Sequence, residues 1–230
     1  MHNTNIHELE DRIGYKFKHN NLLYLALTHT SFANENNNKR DFHNERIEFL
    51  GDAVLELISS EFFYKNMPGR SEGEMTKQRA AMVCEPTLAF CARQFGLEQY
   101  IRMGKGEEMT GGRGRDSIVS DALEALIGAI YLDGGFASAK EFVLRFVLND
   151  MEHKRFFYDS KTILQERIQG LHSGEIEYEL LGEEGPDHDK LFRVCVKADS
   201  RILGEGVGRT KKAAQQMAAY QALLLLQKEN

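Results

Sequence analysis

Apolar positions recur every three or four residues over most of the first 150 positions, the spacing of helices that bury one side. Residues 21–27 read as a short apolar helix and residues 44–63 as a longer one. Residues 74–95 read as a helix broken near Pro86, because proline cannot continue the hydrogen-bond ladder. Residues 120–132 are apolar nearly all round, which marks a core helix. The Gly134-Gly135 pair stops it, and residues 137–147 resume the helical period. NENNNKRD (34–41) reads as a polar loop, and GKGEEMTGGRGRD (104–116) as a mobile glycine-rich one.

Past about residue 152 the period changes. SKTILQERIQ is a short amphipathic helix, and IEYELL, LFRVCVKA and RILGEGVG read as short strands. TKKAAQQMAAYQALLLLQ closes the chain as a helix, with Ala213, Met217, Tyr220 and Leu224 as its sheet-facing stripe. The order α-β-β-β-α over about 70 residues is a plausible small domain. The expected organisation is an all-α domain at 1–152, a linker at 153–159 and a small α+β domain at 160–228.

Within residues 44–57, NERIEFLGDAVLEL, four acids interrupt the apolar pattern. At roughly 100° per residue, Glu45, Glu48, Asp52 and Glu56 share an arc of about 80°. Like charges one turn apart repel, so the stripe is either a solvated face or half of a site. A second acidic pair, Asp121 and Glu124, sits three apart in SDALEALIGAIYLDGG, amid Ala, Leu, Ile and Gly. Gly128 shares their face, and Gly51 lies mid-helix at a cost of about 1 kcal/mol relative to Ala. Both glycines suggest close helix packing. Two partly buried carboxylate clusters facing one another would need cations. Oxygen ligands without Cys or His select Mg²⁺ or Mn²⁺, the ions of phosphate chemistry.

Composition narrows the setting. The chain has 230 residues, 42% hydrophobic and 28% charged, as in ordinary globular proteins. It has no run of about 18 apolar residues, so no membrane span is expected. MHNTNIHELEDRIGYKF lacks the apolar stretch of a signal peptide. Cys84, Cys91 and Cys195 are odd in number and lack metal-type spacing, which suits a reducing cytoplasm. The net charge is −6, and from Asp159 onward 10 Lys plus Arg stand against 12 Asp plus Glu. A nucleic-acid surface must therefore be a local patch.

NERIEFLGDAVLEL closely resembles the signature of the ribonuclease III family, and SDALEALIGAIYLDGG resembles its second acidic motif. LTHTSF (27–32), EGEMTKQRA (72–80) and GKGEEMTGGRGRDSI (104–118) resemble further family stretches in the expected order. The resemblance covers essentially the whole chain. It implies a dimerising helical nuclease domain, Mg²⁺-dependent, that hydrolyses double-stranded RNA to 5′-phosphate and 3′-hydroxyl ends with short 3′ overhangs. Carried over by position, Glu48, Asp52, Asp121 and Glu124 match the metal carboxylates, with Asp52 and Glu124 taken as catalytic. Glu45 matches an accessory acid, and Glu72 an acid of the cleavage valley. Glu56 has no family role to carry over. Phe49 matches the aromatic that inserts into the partner subunit, an ordinary core phenylalanine being the alternative. His29 reads as structural, and His188-Asp189 lies in a loop far from the acidic helices.

In the small domain Thr162, Gln165, Glu166 and Gln169 share an arc of about 100°. Uncharged hydrogen-bonding groups suit the RNA minor groove, and a solvated face is the alternative. Thr210 is placed to cap the last helix, which puts Lys211 and Lys212 in its first turn. Cations there oppose the helix dipole unless phosphate supplies the anion. KTILQE, GPDH and GRTKKAAQQMAA resemble the double-stranded RNA-binding domain, implying contacts from Thr162, Gln165, Glu166, His188, Lys211 and Lys212. Lys105, Arg113 and Arg115 are further phosphate candidates. Six acids from Glu175 to Asp187 set this copy apart. The expectation is a cytoplasmic homodimeric endoribonuclease acting on double-stranded RNA, with neither a membrane nor a small-molecule substrate. A catalytically dead RNA-binding regulator and a nucleotide phosphohydrolase are the rivals.

Overall fold

The structure is a computed structural model that describes residues 6–36, 42–170, 175–185, 190–208 and 210–228. The chain divides into two compact units, Met1–Asn149 and Asp150–Asn230.

The first unit is helical: α1 (Ile6–Ile13), α2 (Asn20–Ala26), α3 (Thr30–Glu35), α4 (Glu45–Asn66), α5 (Glu72–Val83), α6 (Glu85–Gln94), α7 (Lys105–Met109) and α8 (Asp116–Phe146). Leu55, Ile58 and Phe63 of α4 are buried with Leu123, Leu126 and Ile127 of α8 and Leu88 of α6. Each such side chain contributes about 1.5–3 kcal/mol relative to exposure. The α4–α8 crossing is made by glycine. A Cβ on Gly51 would stand 1.8 Å from the Glu124 carbonyl oxygen, and one on Gly128 would stand 2.3 Å from the Ile47 oxygen. The two backbones therefore touch, as the mid-helix glycines implied.

The break near Pro86 falls between α5 and α6, with the proline in the first turn of α6. Ser71 and Glu74 form a reciprocal capping box that starts α5 two residues earlier than its apolar period suggested. The helices expected at 120–132 and 137–147 are the two stretches of α8, which meet at a kink where Gly135 is non-helical, with φ +79°. Just before the kink, buried Asp133 accepts from Tyr15 Oη (2.8 Å), Lys18 N (3.0 Å) and His19 N (2.9 Å), and pairs with His19 Nδ1 at 2.9 Å. Those bonds tie the segment after α1 to α8. Although α8 is long and apolar enough to cross a membrane, most of its apolar window is buried in the protein.

The glycine-rich segment is not the mobile loop its composition suggested. It holds α7 and a 3₁₀ turn at Gly112–Gly114. Glu35 accepts from Lys105 N (2.9 Å) and Gly106 N (3.2 Å). Of the polar loop, residues 37–41 lie outside those described.

The second unit contains α9 (Met151–Tyr158), α10 (Ser160–Gly170), β1 (Ile176–Glu184), β2 (Leu191–Ala198), β3 (Arg201–Gly208) and α11 (Lys211–Lys228). Most of the segment read as a linker is thus the helix α9, whose Phe157 packs edge-on against Tyr220 of α11 at 5.5 Å. The strands form an antiparallel sheet in the order β1-β2-β3. In β3, alternate glycines meet α11: a Cβ on Gly206 would stand 2.2 Å from Ala218 N, and one on Gly204 2.6 Å from Ala218 O. Only small side chains fit so close an approach. The helix accordingly buries Ala214, Ala218, Ala219, Ala222 and Leu223, and of the expected stripe only Tyr220 is buried.

Candidate metal centre and nucleic-acid face

The Gly51–Glu124 contact presses the acidic row of α4 against that of α8. One carboxylate oxygen from each of Glu48, Asp121 and Glu124 lies within 4.8 Å of the others, and all three groups are half-buried. Burial, then the charges of Asp121, Glu45 and Asp52, lift the Glu48 carboxyl to about 7. Burial, then Asp52, Glu48, Asp121 and Glu56, lift Glu124 to about 8. Asp121 is raised by burial and by Glu85, against a hydrogen bond from Ser120. Every charged neighbour named for these three groups is another acid, and a cation would relieve that repulsion. The oxygen-only donor set fits a hard divalent ion.

Asp52 is exposed and stands outside this trio, although among charged neighbours it acts most strongly on Glu124. Glu45 is exposed, 3.8 Å from His43 Nδ1, and its charge reaches Glu48 and Asp121. Glu72 lies in the first turn of α5, accepts from Thr76 Oγ1 at 2.8 Å and is not one of the trio. Glu56 pairs with Arg79 of α5 at 2.9 Å. Glu85, beside Asp121, was missed from the sequence because nothing periodic marks it. Its place follows from α6 lying antiparallel to α8, with Arg93 2.7 Å from Asp116 at one end. His29 caps α3, its Nδ1 accepting from Ser31 N at 3.3 Å, a structural role.

Phe49 is 79% exposed, which removes the core alternative; Leu57 and Tyr64 of the same helix are exposed as well. In the second unit Thr162, Gln165, Glu166 and Gln169 are exposed while Leu164 and Ile168 are buried. Thr210 Oγ1 accepts from Ala213 N at 3.0 Å, so the cap is present, with Lys211 and Lys212 exposed in the first turn. Lys211 lies 3.5 Å from Glu183 and over the Phe192 ring. Acids of β1 meet cations on or just before β2: Glu179 with Lys197, Glu183 with Lys190 at 3.1 Å, Glu184 with Arg193 at 3.7 Å. His188 lies outside the described residues. Arg115 pairs with Glu107 at 2.6 Å, and Arg113 grips Glu108 at 2.5 and 2.7 Å, so both are engaged within the fold. Lys105 is exposed.

The family model described as ribonuclease-III-like matches residues 19–151, and the double-stranded RNA binding motif matches residues 160–226. The chain belongs to the ribonuclease III family. Ribonuclease 3 of Caldanaerobacter subterraneus subsp. tengcongensis is 48% identical over 218 residues, 94% of this chain and 95% of that one. Ribonuclease 3 of Clostridium acetobutylicum is 49% identical over 222 residues, 95% of each. The solved nuclease domain of ribonuclease III from Campylobacter jejuni, described for flexibility in a region involved in dimer formation, is 46% identical. It covers 62% of this chain and 96% of its own, with a TM-score of 0.59. The ribonuclease III match thus spans α2 to α8, the elements that carry all six acids of the two stripes.

Proposed function

We propose that this ribonuclease III is a Mg²⁺-dependent endoribonuclease that hydrolyses double-stranded RNA to 5′-phosphate and 3′-hydroxyl ends with short 3′ overhangs. The observation that carries the reading is the Glu48–Asp121–Glu124 trio, set face to face by the Gly51–Gly128 contact. These three, with Asp52 alongside, would hold Mg²⁺ or Mn²⁺, which supplies an activated water and neutralises the departing 3′ oxygen. Glu45 and Glu72 are the accessory acids of that centre. Without the ion, Glu124 and Glu48 hold protons near neutrality, so binding it requires their release.

The second unit supplies sequence-independent grip: Thr162, Gln165 and Glu166 toward the minor groove, Lys211 and Lys212 toward phosphate, with His188 as a further contact. Arg115 joins this set only by leaving Glu107. One subunit carries one trio, so a two-strand cut calls for a symmetric homodimer, with Phe49 inserting into the partner. Its exposure, and that of Leu57 and Tyr64, supports the reading. Processing of ribosomal and structured messenger RNA precursors in the cytoplasm fits the reduced cysteines Cys84, Cys91 and Cys195. The test is to incubate the protein with end-labelled duplex RNA in Mg²⁺, Ca²⁺ or EDTA and map the products. Mg²⁺ should give staggered cuts with 5′-phosphates, Ca²⁺ binding with little turnover, and EDTA none. Cutting in EDTA, or 3′-phosphate products, would refute it.

A further inference from the structure

Glu56 closes the acidic row of α4 without belonging to the trio, and what holds it is Arg79. Arg79 Nη1 lies 2.9 Å from Glu56 and also donates to Ser60 Oγ at 2.7 Å. Ser60 Oγ in turn donates to the Glu56 carbonyl at 2.6 Å, which fixes this corner. Both contacts use the same nitrogen. Among the described residues no hydrogen bond engages Nε or Nη2 of Arg79, which leaves the donors of that side edge unused. That edge is the two-donor fork that matches a phosphate. The Arg79 side chain is 32% exposed, and of the twelve residues of α5 only Ala81 and Met82 are buried. The corner also adjoins the centre, because Glu56 follows Asp52 by four residues, about one turn, on α4.

We propose that Arg79 is a phosphate-binding residue at the edge of the cleavage centre, anchored through Nη1 by Glu56 and Ser60 and offering Nε and Nη2 to the RNA backbone. This rests on the reading of the chain as a duplex-RNA nuclease. The site around it is otherwise acidic, so a polyanion approaching the trio meets repulsion wherever a cation is missing. A guanidinium held at that border lowers the repulsion without occupying the metal position. Glu56, the acid of the stripe with no family role, then acts as the positioning residue for Arg79.

The test is duplex binding by the full chain in Ca²⁺ across a salt series, with a fluorescent blunt RNA duplex, alongside cleavage kinetics in Mg²⁺. Arg79→Gln should lower the slope of log affinity against log salt by roughly 0.9, one phosphate contact. It should raise KM several-fold with a smaller change in kcat. Arg79→Lys should restore most of the slope, since a point charge still meets phosphate. Glu56→Gln, which loosens the anchor but keeps the guanidinium, should give a slope between wild type and Arg79→Gln. If Arg79 merely clamps α5 to α4, Arg79→Gln and Glu56→Gln will lose stability and affinity together at unchanged slope, and the proposal falls. Should Arg79→Gln fail to fold, the double variant Glu56→Gln with Arg79→Gln removes the unpaired acid and reads the same slope. A wild-type protein that neither binds nor cuts duplex RNA would instead overturn the functional reading itself.

Discussion

Gly51 decides the site at the scale of single residues. An alanine there would place its Cβ 1.8 Å from the Glu124 carbonyl, and backbone cannot yield as a side-chain tip can. Gly51→Ala must push α4 and α8 apart, at a cost of about 1–3 kcal/mol or more from overpacking. The melting temperature should drop and Mg²⁺ affinity should fall with it, because Glu48 leaves Asp121 and Glu124; calorimetric titration checks both. Proton linkage is also set here. The carboxyls of Glu48 and Glu124 are raised, to about 7 and about 8, so in metal-free protein they favour folding below the ordinary carboxylate range. That contribution disappears as pH rises through about 7 to 8, where the crowded carboxylates ionise. Mg²⁺ should therefore raise the melting temperature more at pH 8.5 than at pH 6, and equal shifts at the two would contradict the proton count. The glycines and the acids of the trio, Glu48, Asp121 and Glu124, were legible in the sequence, since a helical glycine or a buried acid is costly enough to need a reason. The partners of Glu56 and Asp121 were not. Periodicity tells which face a residue occupies, not that α5 places Arg79, or α6 Glu85, opposite it.

At the scale of elements, α8 shows what patterning can and cannot give. Its apolar character was readable, and so was the break at Gly134-Gly135, where Gly135 leaves helical geometry at φ +79° and divides the element into two helical stretches. The kink follows Asp133, whose buried carboxylate receives bonds from Tyr15, Lys18 and His19. Burial alone would raise this group; the hydrogen bonds outweigh it and hold it at about 2. Its contribution is present above about pH 4, the unfolded value, and is lost as pH falls from about 4 to about 2. Asp133→Asn keeps one acceptor but turns an amide toward N–H donors, and should cost about 2–4 kcal/mol in urea unfolding at pH 7. The same variant should flatten the acid limb of the stability curve; a limb as steep as wild type would mean that another carboxylate dominates it. On α11 the expected sheet-facing stripe held in part: Ala213 meets Gly208 and Tyr220 is buried, but the closest approaches to Gly204 and Gly206 come from Ala214, Ala218 and Ala222, which the stripe left out. Small residues on both elements carry a weak hydrophobic signal and a strong packing one.

For the whole molecule, two units in sequence were expected and two are found, with the boundary at Asn149 and the linker largely folded into α9. All the acids of the candidate metal centre precede that boundary, while Lys211, Lys212 and the polar face of α10 follow it. Residues 1–149 should then cut duplex RNA slowly at low salt with ample Mg²⁺ and fail sooner than the full chain as salt rises. Each lost phosphate contact removes roughly 0.7–0.9 from the salt slope. A folded truncation that is inert at every salt and metal concentration would show that the second unit does more than bind.

In the proposed function the facing carboxylates, and not another group, perform the hydrolysis. The most direct measurement compares wild type, Asp52→Asn and Glu124→Gln for cleavage in millimolar Mg²⁺ and for duplex binding in Ca²⁺. Both variants should bind duplex RNA nearly as wild type does, and cleavage should fall by several orders of magnitude in each. Wild-type cutting rates in either folded variant would contradict it.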